Sequence, residues 1–390
     1  MFNAERRQTA SRSQEPHLEL EVISDPEVLR SMDSIWQRLI ERAELDHPFM
    51  CHEWLLSWWE CFGTGRELYV IAVRNNGNVI ALAPLMIRQE RMHGVKIRRI
   101  EAIYNEHTPR YDFIIGSHHD LVYRAIWEHL RQQKHHWDIV LLSQIPAGSR
   151  TLDEMARLAR AACHATGVWS PPASPYIDLG RGLQEFSKTL KGHHRRNVRS
   201  RHERLSAIGP VTMEVIASSD QLQDGLRDAM RIEAAAWKGR NGTAIESDPA
   251  VTEFYLRFAQ RAAERGWLRL FFLKLGDRRI AVDYALSLNQ KLYGVKIGYD
   301  PEFHTYSPSN LLLNLIVEQA CIQGEIEYDF LGADDQWKQD WTRMKRSHEW
   351  LYIFQNNLRG RFIHNIKFSL IPAIQAIQTA VVARTSRSHK

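Results

Sequence analysis

Segments 68–81 (LYVIAVRNNGNVIA) and 268–281 (LRLFFLKLGDRRIA) lie two hundred positions apart and carry one pattern. Each is an apolar run, a tight turn and a second apolar run that closes on Ile-Ala. Asn76-Gly77 and Gly276-Asp277 are hairpin turn signals between strands. Upstream, Pro48 precedes a helical pattern over Glu53–Phe62, rich in Trp54, Trp58 and Trp59, and Pro249 precedes another over Val251–Ala263. A single hairpin match would be common. A helix, a hairpin and a shared register together imply a duplicated αβ unit. The chain is therefore read as α/β, with two tandem units, each a mostly antiparallel mixed sheet flanked by helices.

At 390 residues and 44% hydrophobic composition the chain has ample material for two or three cores. Residues 1–17 are polar with no apolar stretch, so they read as a flexible tail rather than a secretory signal. The proline-rich run Trp169–Pro175 and the strand Tyr176–Leu179 place a boundary near residue 180. The expected units are 18–180, 181–355 and a C-terminal helical extension with a basic tail, 356–390. A net charge of +5 suits small anionic ligands or acidic surfaces as readily as nucleic acid. Cys51, Cys61, Cys163 and Cys321 form no CxxC pair, which argues against a zinc cage or a disulfide framework. No run of eighteen apolar residues is present to span a bilayer, and a reducing cytoplasm is the expected location.

The second unit holds most of the candidate chemistry. Strands are expected over 269–275, 280–288, 292–299 and 326–331. A helix opens at Ser307, the N-cap candidate, with Pro308 in its first turn and Leu311, Leu312, Leu315 and Ile316 along one face. Its first backbone N–H groups suit an anion such as a pyrophosphate, although an ordinary capped core helix reads the same way. Gly332 releases the last strand into a loop bearing Trp337, Lys338 and Trp341. Glu233 and Trp237 stand at i, i+4 before a glycine-rich loop, where the glutamate serves either as a base or as a cap. One long helix is expected over Gly182–Ser206, carrying Lys188, Lys191, Arg195, Arg196, Arg199, Arg201 and Arg204. It fits a solvated face, an anionic ligand or a nucleic acid. In the first unit, Glu106, His107, Arg110, Tyr111 and Asp112 form a polar cluster in a loop. A helix around Phe362, Ile363, Ile366 and Phe368, interrupted at Pro372 and resuming at Ile374, either covers a sheet or lies on an anionic membrane surface.

Taken in order, Trp36, Pro48-Phe49, Trp54, Trp58-Trp59, Lys191, Arg195-Arg196, Arg199, Trp237, Tyr299-Asp300, Tyr306-Ser307-Pro308, Leu311, Asp329-Phe330, Gly332, Trp337-Lys338 and Trp341 form a serial pattern from Leu18 to Leu351. It resembles the GNAT-type acyltransferases described as CelD-like (cellulose or exopolysaccharide biosynthesis), which are related to the Fem-type aminoacyltransferases. The resemblance implies tandem GNAT-like units, the C-terminal one binding acetyl-CoA or a longer acyl-CoA. It implies cofactor contacts from Ile297, Gly298, Ser307, Ser309, Asn310 and Leu311, with the Ile297 and Gly298 backbone polarising the thioester. Glu233 or Asp283 would be the base, and Tyr299 or Tyr293 the proton donor. Trp237, Lys338 and Trp341 would face the substrate, a small-molecule, saccharide or other cell-envelope acceptor. No metal is implied. Where the family commonly has Ser-Pro-Gly, this chain has Ser307-Pro308-Ser309, which narrows the approach to a pyrophosphate. Two alternatives remain: a Fem-like transferase using aminoacyl-tRNA, and a catalytically silent binding or assembly subunit.

Overall fold

The computed structural model describes residues 17–43, 45–235, 245 and 248–375. The expected tail up to residue 16, Trp237 with its glycine-rich loop, and the last fifteen residues lie outside the described residues.

The first sheet begins with β1 (Leu18–Ile23), β2 (Glu67–Asn75), β3 (Asn78–Met92) and β4 (Val95–Ala102), and continues with β6 (Ile139–Pro146) and β7 (Ala165–Trp169). A short β5 (Ile114–Ile115) pairs with β3. The second sheet holds β8 (Ser174–Asp178), β9 (Val211–Ile216), β10 (Leu268–Leu275), β11 (Arg278–Leu288), β12 (Lys291–Tyr299), β13 (Glu327–Asp329) and β14 (Lys345–Arg346). The two hairpins, β2–β3 and β10–β11, match down to their irregularities. Their registers slip between Val73 and Arg74 and between Leu273 and Lys274, at equivalent positions. In each half the next strand is followed by a helix, α4 (His119–Gln132) or α10 (Pro308–Ile322), and then by a strand parallel to it. β4 pairs with β6 over Arg99–Glu101, and β12 pairs with β13 over Lys291–Tyr293. The duplication read from the sequence is a duplication of structure.

Beyond those parallel strands the halves trade places. β15 (His348–Phe354), from the far end of the chain, inserts between β6 and β7 of the first sheet. β8, from before residue 180, inserts between β13 and β14 of the second. The expected divisions at 180 and 355 therefore do not follow the sheets. Each half leaves a slot beside its parallel strand, and the backbone groups there are satisfied by a strand from the other half.

Three helical stretches end or break where a residue turns inward. The helix capped by Asp25 breaks at Met32 into α1 (Pro26–Ser31) and α2 (Asp33–Ala43). α5 (Arg150–Ala161) ends as the chain turns to form β7 and buries His164, whose Nδ1 lies 3.0 Å from the Phe354 carbonyl. The basic helix is two, α6 (Gly182–Thr189) and α7 (Gly192–Ser206). Leu190 between them is extended and seated in the second core.

The duplicated helices α3 (His52–Phe62) and α9 (Pro249–Glu264) pack on each other across the halves. Trp54, fully buried, meets Phe254 and Phe258 edge-on with ring centroids 5.0 and 4.7 Å apart. Arg261 donates to Ser57 Oγ at 2.6 Å and to Glu60 at 2.9 Å along the rim of this contact. Between α7 and α9, α8 (Leu222–Ala235) lies against β11 and β12. Trp54→Ala should cost about 3–5 kcal/mol by leaving a cavity in that seam. Urea unfolding followed by tryptophan fluorescence and circular dichroism should give one coincident transition with a lower midpoint. An unchanged midpoint would contradict a shared core.

Candidate functional site

β12 is paired with β11 along its length but with β13 only as far as Tyr293 and Asp329. Asp329 is where the two parallel strands part. Its carboxylate is fully buried and pairs with Arg346 at 2.6 Å and with Arg110, which reaches across from the first half. Its Oδ1 accepts the Leu331 N–H at 2.9 Å. Leu331 and Gly332 then adopt left-handed conformations (φ +51° and +61°) and carry the chain away from β12. Lys338 locks that turn, donating to the Leu331 and Ala333 carbonyls at 3.0 and 2.7 Å and pairing with Asp335.

The gap so opened is a cleft of about 700 Å³. One wall is β12 from Gly294 to Tyr299, another is the start of α10, and a third comes from the first half through Glu106–Pro109 and His348. β12 bulges at this wall: Tyr284 faces Lys296 and Ala285 faces Gly294, leaving Val295 as the extra residue. Two glycines are required by close packing. At Gly294 the Tyr328 ring occupies the space a Cβ would need, and its hydroxyl donates to Asp283 at 2.5 Å. At Gly298 a Cβ would meet the Glu233 backbone at 2.6 Å, so β12 rests directly on α8.

The expected site residues divide accordingly. Tyr299, Ile297, Gly298, Ser307, Ser309, Asn310 and Lys338 line the cleft. Ser307 occupies the N-cap position of α10 in a left-handed conformation (φ +49°, ψ +59°) and makes no side-chain cap bond. Its carbonyl instead accepts Asn310 and Leu311 N–H at 2.9 and 3.2 Å, because the preceding turn Pro301–Tyr306 delivers the backbone from the opposite sense. Ser309 Oγ points to the Gly298 carbonyl at 3.5 Å. Leu311 is buried in the second core, so only its backbone belongs to the helix terminus. Trp341 is also buried and acts on the cleft through Asn310, donating to its Oδ1 at 2.8 Å. Glu233 and Asp283 are buried and are not among the cleft's lining residues; Glu233, on α8 under Gly298, accepts the Ile245 N–H at 2.9 Å, and Asp283 accepts the hydroxyl of Tyr328. Tyr293 is committed to the Asp46 carbonyl.

Three cleft residues were not singled out from sequence for a chemical role. Tyr328 sat within an expected strand, and His107 was noted only as part of a polar loop cluster. His348 gave one weak signal, a polar residue at an inward position of an apolar strand. His348 is 3% exposed and, among the described residues, its Nε2 has no hydrogen-bond partner. His107 Nδ1 lies 3.3 Å from the Tyr255 hydroxyl. Burial, then the charge of Arg110, lowers the His348 pKa to about 4. Burial, then Lys296, lowers that of His107 to about 4. Both imidazoles are neutral at pH 7 and able to accept a proton or a hydrogen bond.

Residues 192–339, which run from α7 through β12, α10 and β13, match the Acetyltransferase (GNAT) domain family. No curated protein matches the chain by sequence. Among solved structures the chain is similar to FemX, with a TM-score of 0.58 at 13% identity over 89% of this chain and 99% of that one. It is similar to the C-terminal domain of a putative lysylphosphatidylglycerol synthetase from Agrobacterium fabrum, with a TM-score of 0.52 at 12% identity over 91% and 96%. It is also similar to L-PGS from Bacillus licheniformis, with a TM-score of 0.50 at 13% identity over 88% and 96%. At these identities the likeness is one of fold. The chain has a tandem GNAT-like α/β fold, and its second half carries the stretch that matches a GNAT-type acetyltransferase domain.

Proposed function

We propose that the protein transfers an acyl group from acyl-CoA to an amine or hydroxyl of an acceptor, in the cleft between β12 and β13. The observation that carries this reading is the one-sided pairing of β12, which presents a strand edge to a cleft that also receives the first turn of α10. Such an edge suits an extended amide-bearing chain, and the bulge at Val295 alters the direction of the backbone groups within it. Ile297, Gly298 and Ser309 would hold the donor, and the chemistry it would supply is a thioester carbonyl open to attack. Ser309 leaves less room at α10 than the glycine common in the CelD-like family, which favours binding along β12. The acceptor on this reading belongs to polysaccharide or other cell-envelope chemistry, the context of the resemblance read from sequence.

The proton acceptor is His348. Its buried Nε2 takes the hydrogen bond of an acceptor N–H or O–H entering from the first-half wall, and the imidazole receives that proton as the acceptor attacks. Tyr299 gives a proton to the departing thiolate. Glu233 and Asp283 have no part in these steps, because neither lines the cleft. Aminoacyl-tRNA as donor is a second reading, favoured by the exposed Arg195, Arg196 and Arg199 on α7.

Calorimetric titration with acetyl-CoA and a longer acyl-CoA should give a Kd between about 1 μM and 1 mM. Ser309→Trp should abolish it without lowering the unfolding midpoint. Absence of heat with either ligand would overturn the acyl-CoA reading. Displacement of the ligand by tRNA, with a steep loss at higher salt, would favour the second donor. With an acceptor found by thiol release, His348→Gln should lower kcat/KM by about 10²-fold and leave donor affinity unchanged. Ring titration followed by NMR should show His348 and His107 neutral down to about pH 4. Because both pKa values lie below that of an unfolded histidine, about 6.5, the unfolded chain binds more protons in this window. Their contribution to stability is complete above pH 6.5 and is lost as pH falls through about 4.

A further inference from the structure

The positive charge of this chain is concentrated at one end. Residues 350–390 hold six Lys and Arg and no Asp or Glu, so the remainder of the chain carries a formal −1 against +5 for the whole. From Leu358 the described part of this segment is one helical rod. α11 (Leu358–Asn365) runs into a π-helical turn, Ile366–Leu370, and on through helical backbone to residue 375. The expected interruption at Pro372 does not occur, because the widened turn before it absorbs the missing N–H.

One side of the rod is seated on the first sheet. Ile363 is buried, His364 packs on Phe354, and Phe368 fills the space over Gly167 on the edge strand β7. The other side carries large apolar residues into solvent. Leu358 is 86% exposed, Phe362 55%, Leu370 55% and Ile374 46%. Trp169, two residues from Gly167 and so on the same face of β7, adds a further indole at 45% exposure. Arg361 is exposed beside them, Arg359 is shared with Asp138 at 3.5 Å, and Lys367 lies over the Tyr352 ring.

We propose that this helix lies in the interface of an anionic lipid bilayer. Exposed apolar residues on a segment that itself carries cations and no acids are what an interfacial helix presents to headgroups and acyl chains. A second copy is the poorer occupant, since a symmetric contact through this face would bring two identical cationic borders together. Among the described residues no helix is long and apolar enough to cross a membrane, so the contact is peripheral.

The test is co-sedimentation of the full chain with vesicles of phosphatidylcholine alone or of equimolar phosphatidylcholine and phosphatidylglycerol. It requires no acyl donor or acceptor and is independent of the proposed reaction. Binding should be at least about tenfold tighter on the anionic vesicles and should weaken as salt rises from about 0.1 to about 0.5 M. Phe362→Glu and Leu370→Glu, both at exposed positions, should each lower it about tenfold with the unfolding midpoint unchanged. Equal binding to both vesicles, no binding, or binding indifferent to both substitutions would overturn the proposal. So would a concentration-dependent dimer that the same substitutions abolish, which would assign the face to a second copy.

Discussion

The arrangement of the cleft depends on a single buried carboxylate. Asp329 ends the β12–β13 pairing, and a charge so placed is stable only if it is fully compensated. Arg346 and Arg110 supply the positive charge, and the Leu331 N–H takes its other oxygen. That last bond draws the backbone into the left-handed turn that separates the strands. Because Arg110 belongs to the first half, the parting of two strands in the second sheet is stabilised by a residue from the first. The two halves are coupled here by charge, as they are by packing at Trp54.

The duplicated unit is used for different ends. The first sheet has its own parallel pair, β4 and β6, joined over only three residues like its counterpart. There the loop after β4 folds back into the gap. Tyr111 donates its N–H to the Gln144 carbonyl at 3.0 Å and its hydroxyl to the Pro84 carbonyl at 2.9 Å, and its ring is fully buried. The same loop then extends Glu106, His107 and Arg110 toward the second half. One copy has closed its gap and become a wall; the other keeps its gap open. The exchange of β8 and β15 makes this arrangement hard to divide, since His348 reaches the cleft on a strand of the first sheet.

Much of this was legible in the sequence, for physical reasons that differ by element. The paired hairpins stood out because alternating apolar runs around Asn76-Gly77 and Gly276-Asp277 need no tertiary context to be read. The helix start at Ser307–Leu311 and the tryptophan-flanked Lys338 could be read because both are local patterns. The strand exchange was not legible: β7, β8, β14 and β15 are short, and their partners are set by which slot is open. The depth of Glu233 and Asp283 was not legible either, for a related reason. A carboxylate on a strand or helix near a site has two faces to choose from: Glu233 is held under Gly298 by α8, and Asp283 lies beneath the Tyr328 hydroxyl rather than in the cleft wall. His348 carries no local signal beyond its inward register, since its partners come from residues far away in sequence.

On the proposed reading, the open gap beside β12 is the donor site and the filled gap beside β4 is not. Hydrogen exchange of the full chain with and without acetyl-CoA, read at peptide resolution, separates the two. Donor binding beside β12 should slow exchange over residues 294–299 and 309–311, with no change over 95–103. Protection confined to the first-half strand, or none in either gap at saturating ligand, would contradict it.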